Sequence, residues 1–293
     1  MSQKARAGEG VLYAGAAYTA WGLFPLYFIL LKAVPASEIL VHRIVWGAVF
    51  AFALAAWLGQ GAAIWRAFGS GRAMRVMAVS TAMIGINWYL YIWAVTNARV
   101  MEAALGYYIN PLVNVLLGVL ILGERLRRWQ WIAVGVAATG VLNQSLMVGT
   151  FPWIALTLAV TFGLYGLVRK TAPVDSLQGM AIETALLGPF ALAWLLWIEA
   201  DGTAQFLNTG LATDILLVVS GPITVGVLLL FAMGARRLQM ATLGMLQYIA
   251  PTLQALSGLL IVGEPFSAGQ AVTFALILMA LAILTADTIA RHR

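Results

Sequence analysis

Charged residues, glycines and prolines cut this chain into ten apolar runs, each close to the length at which a helix crosses a lipid bilayer. The runs lie near 11–31, 38–58, 74–95, 101–122, 129–147, 151–168, 177–198, 211–233, 240–262 and 268–289. About 20 helical residues span a hydrocarbon layer ~30 Å thick. Barrel strands alternate apolar and polar residues, whereas these runs are apolar all round. Only 10% of the 293 residues are charged, against roughly a quarter in a soluble globular chain. No stretch is polar enough to form a separate soluble domain. The expected fold is an all-α integral membrane domain of ten transmembrane helices. The first run follows Lys4 and Arg6 but is too long for a signal-peptide core, so it is read as a retained helix. The chain has no cysteine, which excludes disulfides, thiolate metal sites and cysteine nucleophiles.

The net charge of +6 invites a nucleic-acid reading, and its distribution argues against one. With the N-terminus inside, the cytoplasmic segments hold Lys4, Arg6, Arg66, Arg72, Arg75, Arg125, Arg127, Arg128, Arg169, Lys170, Arg236, Arg237, Arg291 and Arg293. The opposite side holds Lys32 and Arg99, and Arg43 falls inside a span. Fourteen against two is the positive-inside bias. It predicts both termini in the cytoplasm and needs no nucleic-acid partner.

The chain also repeats itself at a spacing of 140 residues. Tyr108-Ile109-Asn110-Pro111 recurs as Tyr248-Ile249-Ala250-Pro251, Gly123-Glu124 as Gly263-Glu264, and Gln130 as Gln270. A weaker echo links Trp21-Gly22-Leu23 with Phe162-Gly163-Leu164. Each half carries five spans, an odd number, so the halves must point in opposite directions. Arg125, Arg127 and Arg128 follow the first Gly-Glu, a cytoplasmic signature; Pro265 and Phe266 follow the second, with no basic residue. The predicted organisation is an N-terminal tail (1–10), a first five-helix repeat (11–147), a second, inverted one (151–289) and a short tail (290–293). Inverted repeats can exchange conformations, turning an outward-open cavity into an inward-open one.

Several motifs carry a family resemblance. They are Trp21-Gly-Leu-Phe-Pro-Leu-Tyr27, Glu38-Ile-Leu-Val-His-Arg43, Asn87-Trp-Tyr-Leu-Tyr-Ile-Trp-Ala-Val95, Leu105-Gly-Tyr-Tyr-Ile-Asn-Pro111, Leu122-Gly-Glu-Arg125, Tyr165-Gly-Leu-Val-Arg-Lys170 and Leu243-Gly-Met-Leu-Gln-Tyr-Ile-Ala-Pro251. As a set they resemble the RarD branch of the EamA-type drug/metabolite transporter superfamily, from about residue 10 to 289. The resemblance implies two EamA repeats and export of metabolites or drugs from the cytoplasm across the bacterial inner membrane. Superfamily relatives include exporters of amino acids, aromatic ones among them. The second repeat departs from the first in having Ala250 where the first has Asn110, so a site in one half need not be mirrored.

Polar side chains inside a membrane are costly and usually face a bundle interior or a water-filled cavity. In the fourth run, Tyr107, Asn110 and Asn114 share a helix face at i, i+3 and i+7. In the ninth, Gln247 and Gln254 do the same, and the repeat maps Tyr107 onto Gln247 and Asn114 onto Gln254. Two polar stripes turned toward a common axis, with Tyr108 and Tyr248 beside them, would line a substrate cavity; the alternative is hydrogen bonding that holds helices together. Pro111 and Pro251 free carbonyls within these runs and could let them bend. Asn87, Trp88 and Tyr91 in the third run and Trp21 in the first could stack on an aromatic or amphipathic substrate, or simply fill the core.

Glu38, His42 and Trp46 share a face, so Glu38 and His42 can pair, and His42 could serve as a proton site. The competing reading places Glu38 among headgroups and lets Arg43 snorkel to the surface. Glu183 is an isolated acid that could answer Arg43 or a substrate amine. These four are candidate coupling or gating residues. No Walker phosphate loop, G-x-S-x-G or metal-ligand cluster is present. The expectation is a monomeric secondary transporter with no cofactor, its partners being a small-molecule substrate, the lipid bilayer and, through His42, protons. An intramembrane enzyme is the remote competing reading.

Overall fold

The computed structural model describes residues 3–123, 126–147, 149–235, 237–238 and 246–291. Glu124, Arg125, Arg236 and Arg293, the start of the ninth run and the extreme chain ends lie outside them. The described chain is helical throughout: α1 (Gln3–Ile29), α2 (Ala36–Trp57), a short α3 (Gly61–Phe68), α4 (Gly71–Thr96), α5 (Val100–Leu122), α6 (Arg128–Met147), α7 (Trp153–Thr171), α8 (Ser176–Ala200) and α9 (Leu211–Ala235). After the residues outside the description come α10 (Ile249–Ser257, continued by a wider π-helical turn Gly258–Val262) and α11 (Ala268–Arg291).

Among the described residues, six helices are long and apolar enough to cross a membrane: Ala36–Trp57, Gly71–Thr96, Val100–Ile121, Leu177–Ala200, Leu211–Phe231 and Ala268–Asp287. Trp153–Arg169 and Ile249–Val262 are apolar but shorter. Their outer faces carry exposed Val49, Trp57, Leu120, Ile121, Phe190, Leu196, Trp197, Leu260 and Ile261. Apolar surface of this extent has no place in water and is what a chain surrounded by lipid presents. The protein is a multi-pass membrane protein.

Two details differ from the sequence expectation. α1 begins at Gln3, well before the apolar run. The linker near 58–74 is not a plain loop but contains α3, which buries Ile64 and Ala67 and leaves Trp65 exposed.

The repeated motifs adopt the same local structure. Gly123 and Gly263 end α5 and α10 with φ of 67° and 72°, a left-handed conformation that costs glycine little. Each donates its N–H five residues back, to Gly118 O and Gly258 O. Gln130 and Gln270 each reach back to cap a helix start, their Oε1 accepting the N–H of Arg127 (3.0 Å) and Ser267 (2.8 Å).

Packing follows the repeat as well. Pair α1 with α7, α2 with α8, α4 with α9, α5 with α10 and α6 with α11. The contact of α5 on α7 then has its counterpart in α10 on α1, α2 on α9 in α8 on α4, and α1 on α9 in α7 on α4. The remaining extensive contacts, α2 on α8, α5 on α10 and α6 on α11, map onto themselves. The extensive contacts therefore join helices before residue 148 to helices after it. One buried cluster joins α1, α2, α4, α5, α7 and α9 through Phe24, Phe28, Ile39, Tyr91, Ala103, Leu158 and Leu217.

Glu264, just past α10, ties that end of the molecule together. Its Oε1 and Oε2 accept the N–H groups of Val100 (2.5 Å) and Met101 (2.9 Å) at the start of α5. Those amides have no partner within the helix, and the helix N-terminus favours a negative charge. Burial pushes the Glu264 carboxyl up, opposed by the Met101 and Val100 amides and by Arg99. Glu264→Ala should cost about 1–3 kcal/mol by orphaning these donors, and Glu264→Gln, which keeps an acceptor, should cost less. Apparent melting temperatures of the two purified variants check the order; equal losses would rule the clamp out.

Candidate functional site

The polar stripes of α5 and α10 do not face each other. On α5, Tyr107 hydrogen-bonds Asn87 Oδ1 on α4 (3.3 Å) and its ring meets Phe162 of α7 edge-on. Asn110 donates to Ala159 O of α7 (3.0 Å), and Asn114 donates to Asn110 (3.1 Å) while lying close to Gly163. On α10, Gln254 donates to Trp21 O of α1 (3.2 Å). The stripes thus run along the α5–α7 and α10–α1 seams, which are counterparts under the repeat. In each, one amide, Asn110 or Gln254, donates to a backbone carbonyl of the neighbouring helix. Among the described residues, the side-chain hydrogen bond that crosses between α5 and α10 is a hydroxyl pair, Tyr108 with Thr252 at 2.7 Å. Tyr248 is half-buried against the apolar cluster that holds Tyr108 and Ile277.

The prolines are not equivalent either. Pro111 interrupts a continuous α5. Pro251 stands in the first turn of α10, where the missing N–H has no partner to lose.

An aromatic cluster fills the space between α1, α4, α5 and α7. Tyr91 touches Phe28 and Tyr107 at ring-centroid distances of 6.1 Å and 5.7 Å. Asn87 anchors it, donating to Leu158 O and Thr161 Oγ1, both at 3.0 Å. Tyr27 donates to Leu216 O of α9. Trp21 stands apart, half-buried against Tyr18 and Phe231. Trp88 is buried and lies under Arg43, whose guanidinium carbon is 4.4 Å from its ring centroid.

Of the four candidate coupling residues, Glu38 and His42 share a helix face but do not pair with each other. Glu38 is 2% exposed, and its Oε1 accepts the N–H of Gln205 (2.8 Å) and Phe206 (2.9 Å). The loop before α9 outcompetes His42 because two fixed amides satisfy a buried carboxylate better than one imidazole. His42 instead accepts from Trp46 Nε1 (3.3 Å) and stacks on Phe206 (4.6 Å); its Nε2 is buried with no partner among the described residues. Glu38, His42, Trp46, Leu195, Glu199 and Phe206 line a cavity of about 280 Å³ between α2 and α8. Arg43 does not snorkel, being 4% exposed. Glu183 faces away from Arg43. It accepts from Ser80 Oγ (2.5 Å) and lies 3.8 Å from Arg169 Nε.

Sequence reasoning missed Phe24, Phe28, Ser80, Thr161, Arg169, Thr224 and Thr252 as members of these clusters. Phe24 and Phe28 share a helix face at i, i+4 and could have been found. The others are polar residues whose partners lie on distant helices, and no local pattern marks them.

The chain matches the EamA-like transporter family over residues 8–145. It is 46% identical to an uncharacterized transporter of Pseudomonas aeruginosa over 281 residues, covering 95% of this chain and 94% of the relative. It is 45% identical to Protein RarD of Escherichia coli over 285 residues, covering 97% and 96%. A solved crystal structure shares the fold with a TM-score of 0.61 at 23% identity, covering 96% of this chain and 98% of that one. With its apolar helices, its repeat and these relatives together, the chain belongs to the RarD-like branch of the EamA-type drug/metabolite transporter superfamily.

Proposed function

We propose that this membrane transporter exports small amphipathic metabolites, amino acids or drug-like compounds, across the bacterial inner membrane by alternating access. The observation that carries the reading is the exchange of packing partners between the halves: every extensive inter-helix contact has its counterpart or maps onto itself. A molecule built so can reach a second arrangement by swapping the roles of the halves. The proposed frame is ten spans, five plus five and inverted, with both termini cytoplasmic. It operates without a cofactor and as a monomer. α1, α6, α7 and α10 complete the ten, their polar or short stretches lying at seams between halves. The path runs by Trp21, Asn87, Trp88, Tyr91 and Tyr107. The contacts of Tyr108, Asn110, Asn114, Gln247, Tyr248 and Gln254 break and re-form as the seams shift, with Pro111 as the bending point. His42, with its orphaned Nε2 beside a cavity, is the candidate proton site.

Counterflow of radiolabelled amino acids and amphipathic drugs in proteoliposomes tests the reading. Exchange of at least one class is expected, and failure of the whole panel would sink it. Accumulation in inside-out vesicles separates export from uptake by a permease of the same substrate class. Flux that ignores a pH gradient, and is unchanged in His42→Ala, would remove the proton site.

A further inference from the structure

Arg43 of α2 presents a fixed positive charge in the interior with most of its donors unmatched. A guanidinium stays protonated and carries five N–H groups. Here Nε donates to Thr224 Oγ1 at 2.9 Å, and Thr224 donates its own proton to Ser220 O at 2.8 Å, which fixes it as an acceptor. Among the described residues, no carboxylate lies within ion-pair distance of Arg43, and its two terminal nitrogens donate no hydrogen bond. Phe24, Phe28 and Trp88 surround the guanidinium carbon at 5.7, 5.8 and 4.4 Å from their centroids. Ring faces offset part of the cost of a desolvated cation, and they supply no acceptor for an in-plane N–H.

A second orphan sits in the same cluster. The Tyr91 hydroxyl is buried with no hydrogen-bond partner among the described residues. Its ring packs on Phe28 (6.1 Å), itself a wall of the Arg43 cage, and it lies within electrostatic reach of the guanidinium. Two donors from different helices thus lack an acceptor in one place, a costly arrangement for a core. Intramembrane charges of this kind mark substrate pathways.

The missing partner must be rich in acceptors and carry one negative charge. A carboxylate meets both needs. Its two oxygens match the guanidinium edge as a fork and keep lone pairs for a hydroxyl. Among the described residues the cage holds one cation, so a phosphate dianion would leave a charge uncompensated. Phe28, Trp88 and Tyr107 are the apolar rings packed nearest this pair, and they would meet a substrate's apolar body once the seams part to admit it.

We propose that Arg43 and Tyr91 anchor the carboxylate of a small monoanionic or zwitterionic substrate whose apolar or aromatic body lies against Phe28, Trp88 and Tyr107. This rests on the transport-path reading above and names the substrate class.

The test uses four congeners of one body: 3-phenylpropanoate, 3-phenylpropanamide, 3-phenylpropylamine and 2-phenylethylphosphonate. Each is titrated calorimetrically into the purified protein in a neutral detergent free of anionic lipid. The carboxylate should bind about tenfold or more tighter than the amide, as a charge-assisted fork requires. Arg43→Gln should bring the two within about twofold, and Arg43→Lys, a point charge without the fork, should keep part of the preference. Equal binding of carboxylate and amide by the wild-type protein overturns the proposal, and so does a preference that survives Arg43→Gln. Tighter binding of the phosphonate overturns the monoanion assignment. The wild-type comparison decides by itself if a variant fails to fold.

The same congeners in counterflow separate this inference from the transport reading. Exchange of the amine or amide without the carboxylate leaves transport standing and removes the anchor. Binding of the carboxylate without exchange of any congener supports the anchor and removes transport along this path. No binding and no exchange removes both.

Discussion

Gly221→Val is expected to abolish the folded, monodisperse protein, while Gly226→Ala, five residues along the same helix, leaves it intact or more stable. Gly221 of α9 lies where α2 crosses. A Cβ added there would overlap the backbone nitrogen of Gly47 and the carbonyl carbon of Trp46, and would stand 2.8 Å from Trp46 Cβ. Backbone atoms cannot rotate away as a side-chain tip can. The helices would have to separate along their whole contact, breaking the Arg43–Thr224 hydrogen bond that joins them. Inserting methyl-sized groups into a packed interior costs about 1–3 kcal/mol even where side chains can adjust, and small residues at helix crossings are what allow such approach in membranes. Val adds three carbons at a place with room for none. At Gly226 an added Cβ meets nothing within 4 Å, and alanine is the better helix former by about 1 kcal/mol. Size-exclusion profiles and apparent melting temperatures of the two purified variants check the contrast. A monodisperse Gly221→Val protein with unchanged melting would show that α2 and α9 do not meet as described.

The membrane class was legible because the signal is local: apolar run length is a property of one segment at a time. The recurring caps were legible for the same reason. Gly123 and Gly263, Gln130 and Gln270 recur because a left-handed cap and a back-reaching amide need those residue types at those places. What could not be read was rotation about each helix axis. A run that is apolar all round gives almost no phase, so the stripe Tyr107, Asn110 and Asn114 could be placed on a face but not aimed. It turned toward α7, and Gln254 toward α1, because carbonyls at Ala159 and Trp21 lay there to be satisfied. Those partners are separated in sequence by 49 and 233 residues. Glu38 failed as a histidine partner for a similar reason. The amides that took it belong to a loop 167 residues away, and i, i+4 spacing on one helix is silent about that competition.

The placement of these bonds bears on how such a molecule moves. The seam bonds of Asn110 and Gln254 end on backbone carbonyls, which any neighbouring turn can supply one step along. Arg43 and Glu183, by contrast, hold specific side chains. Interfaces of the first kind suit sliding, and contacts of the second kind suit fixed points within a half-molecule or between helices that travel together.

Glu183 provides the second large effect: removing its cation should harm the protein more than removing the acid itself, and removing both should restore much of the loss. Glu183 is 1% exposed. Its Oε1 is held by Ser80 at 2.5 Å, its Oε2 has no partner among the described residues, and Arg169 Nε at 3.8 Å is the nearest cation. Tyr165 lies within electrostatic reach of both. Arg169 is wedged, with Nη2 on Asp175 O (3.1 Å), Nη1 on the Met77 sulfur (3.6 Å), and its guanidinium in the space that a side chain on Gly179 would fill. Arg169→Met keeps the volume and leaves a carboxylate buried without a counter-charge, at a cost of about 3–5 kcal/mol. Glu183→Leu leaves a guanidinium that is 15% exposed and retains Asp175 and Met77, so its cost should be smaller. The double variant replaces an ion pair with apolar groups of similar size, a change that is often neutral or stabilising. Its apparent melting temperature should therefore lie above that of Arg169→Met and near that of Glu183→Leu. The check is a double-mutant cycle on purified protein in one detergent. Strictly additive losses would mean that Arg169 and Glu183 are neighbours without being partners, leaving Ser80 and Tyr165 as what keeps the acid in place.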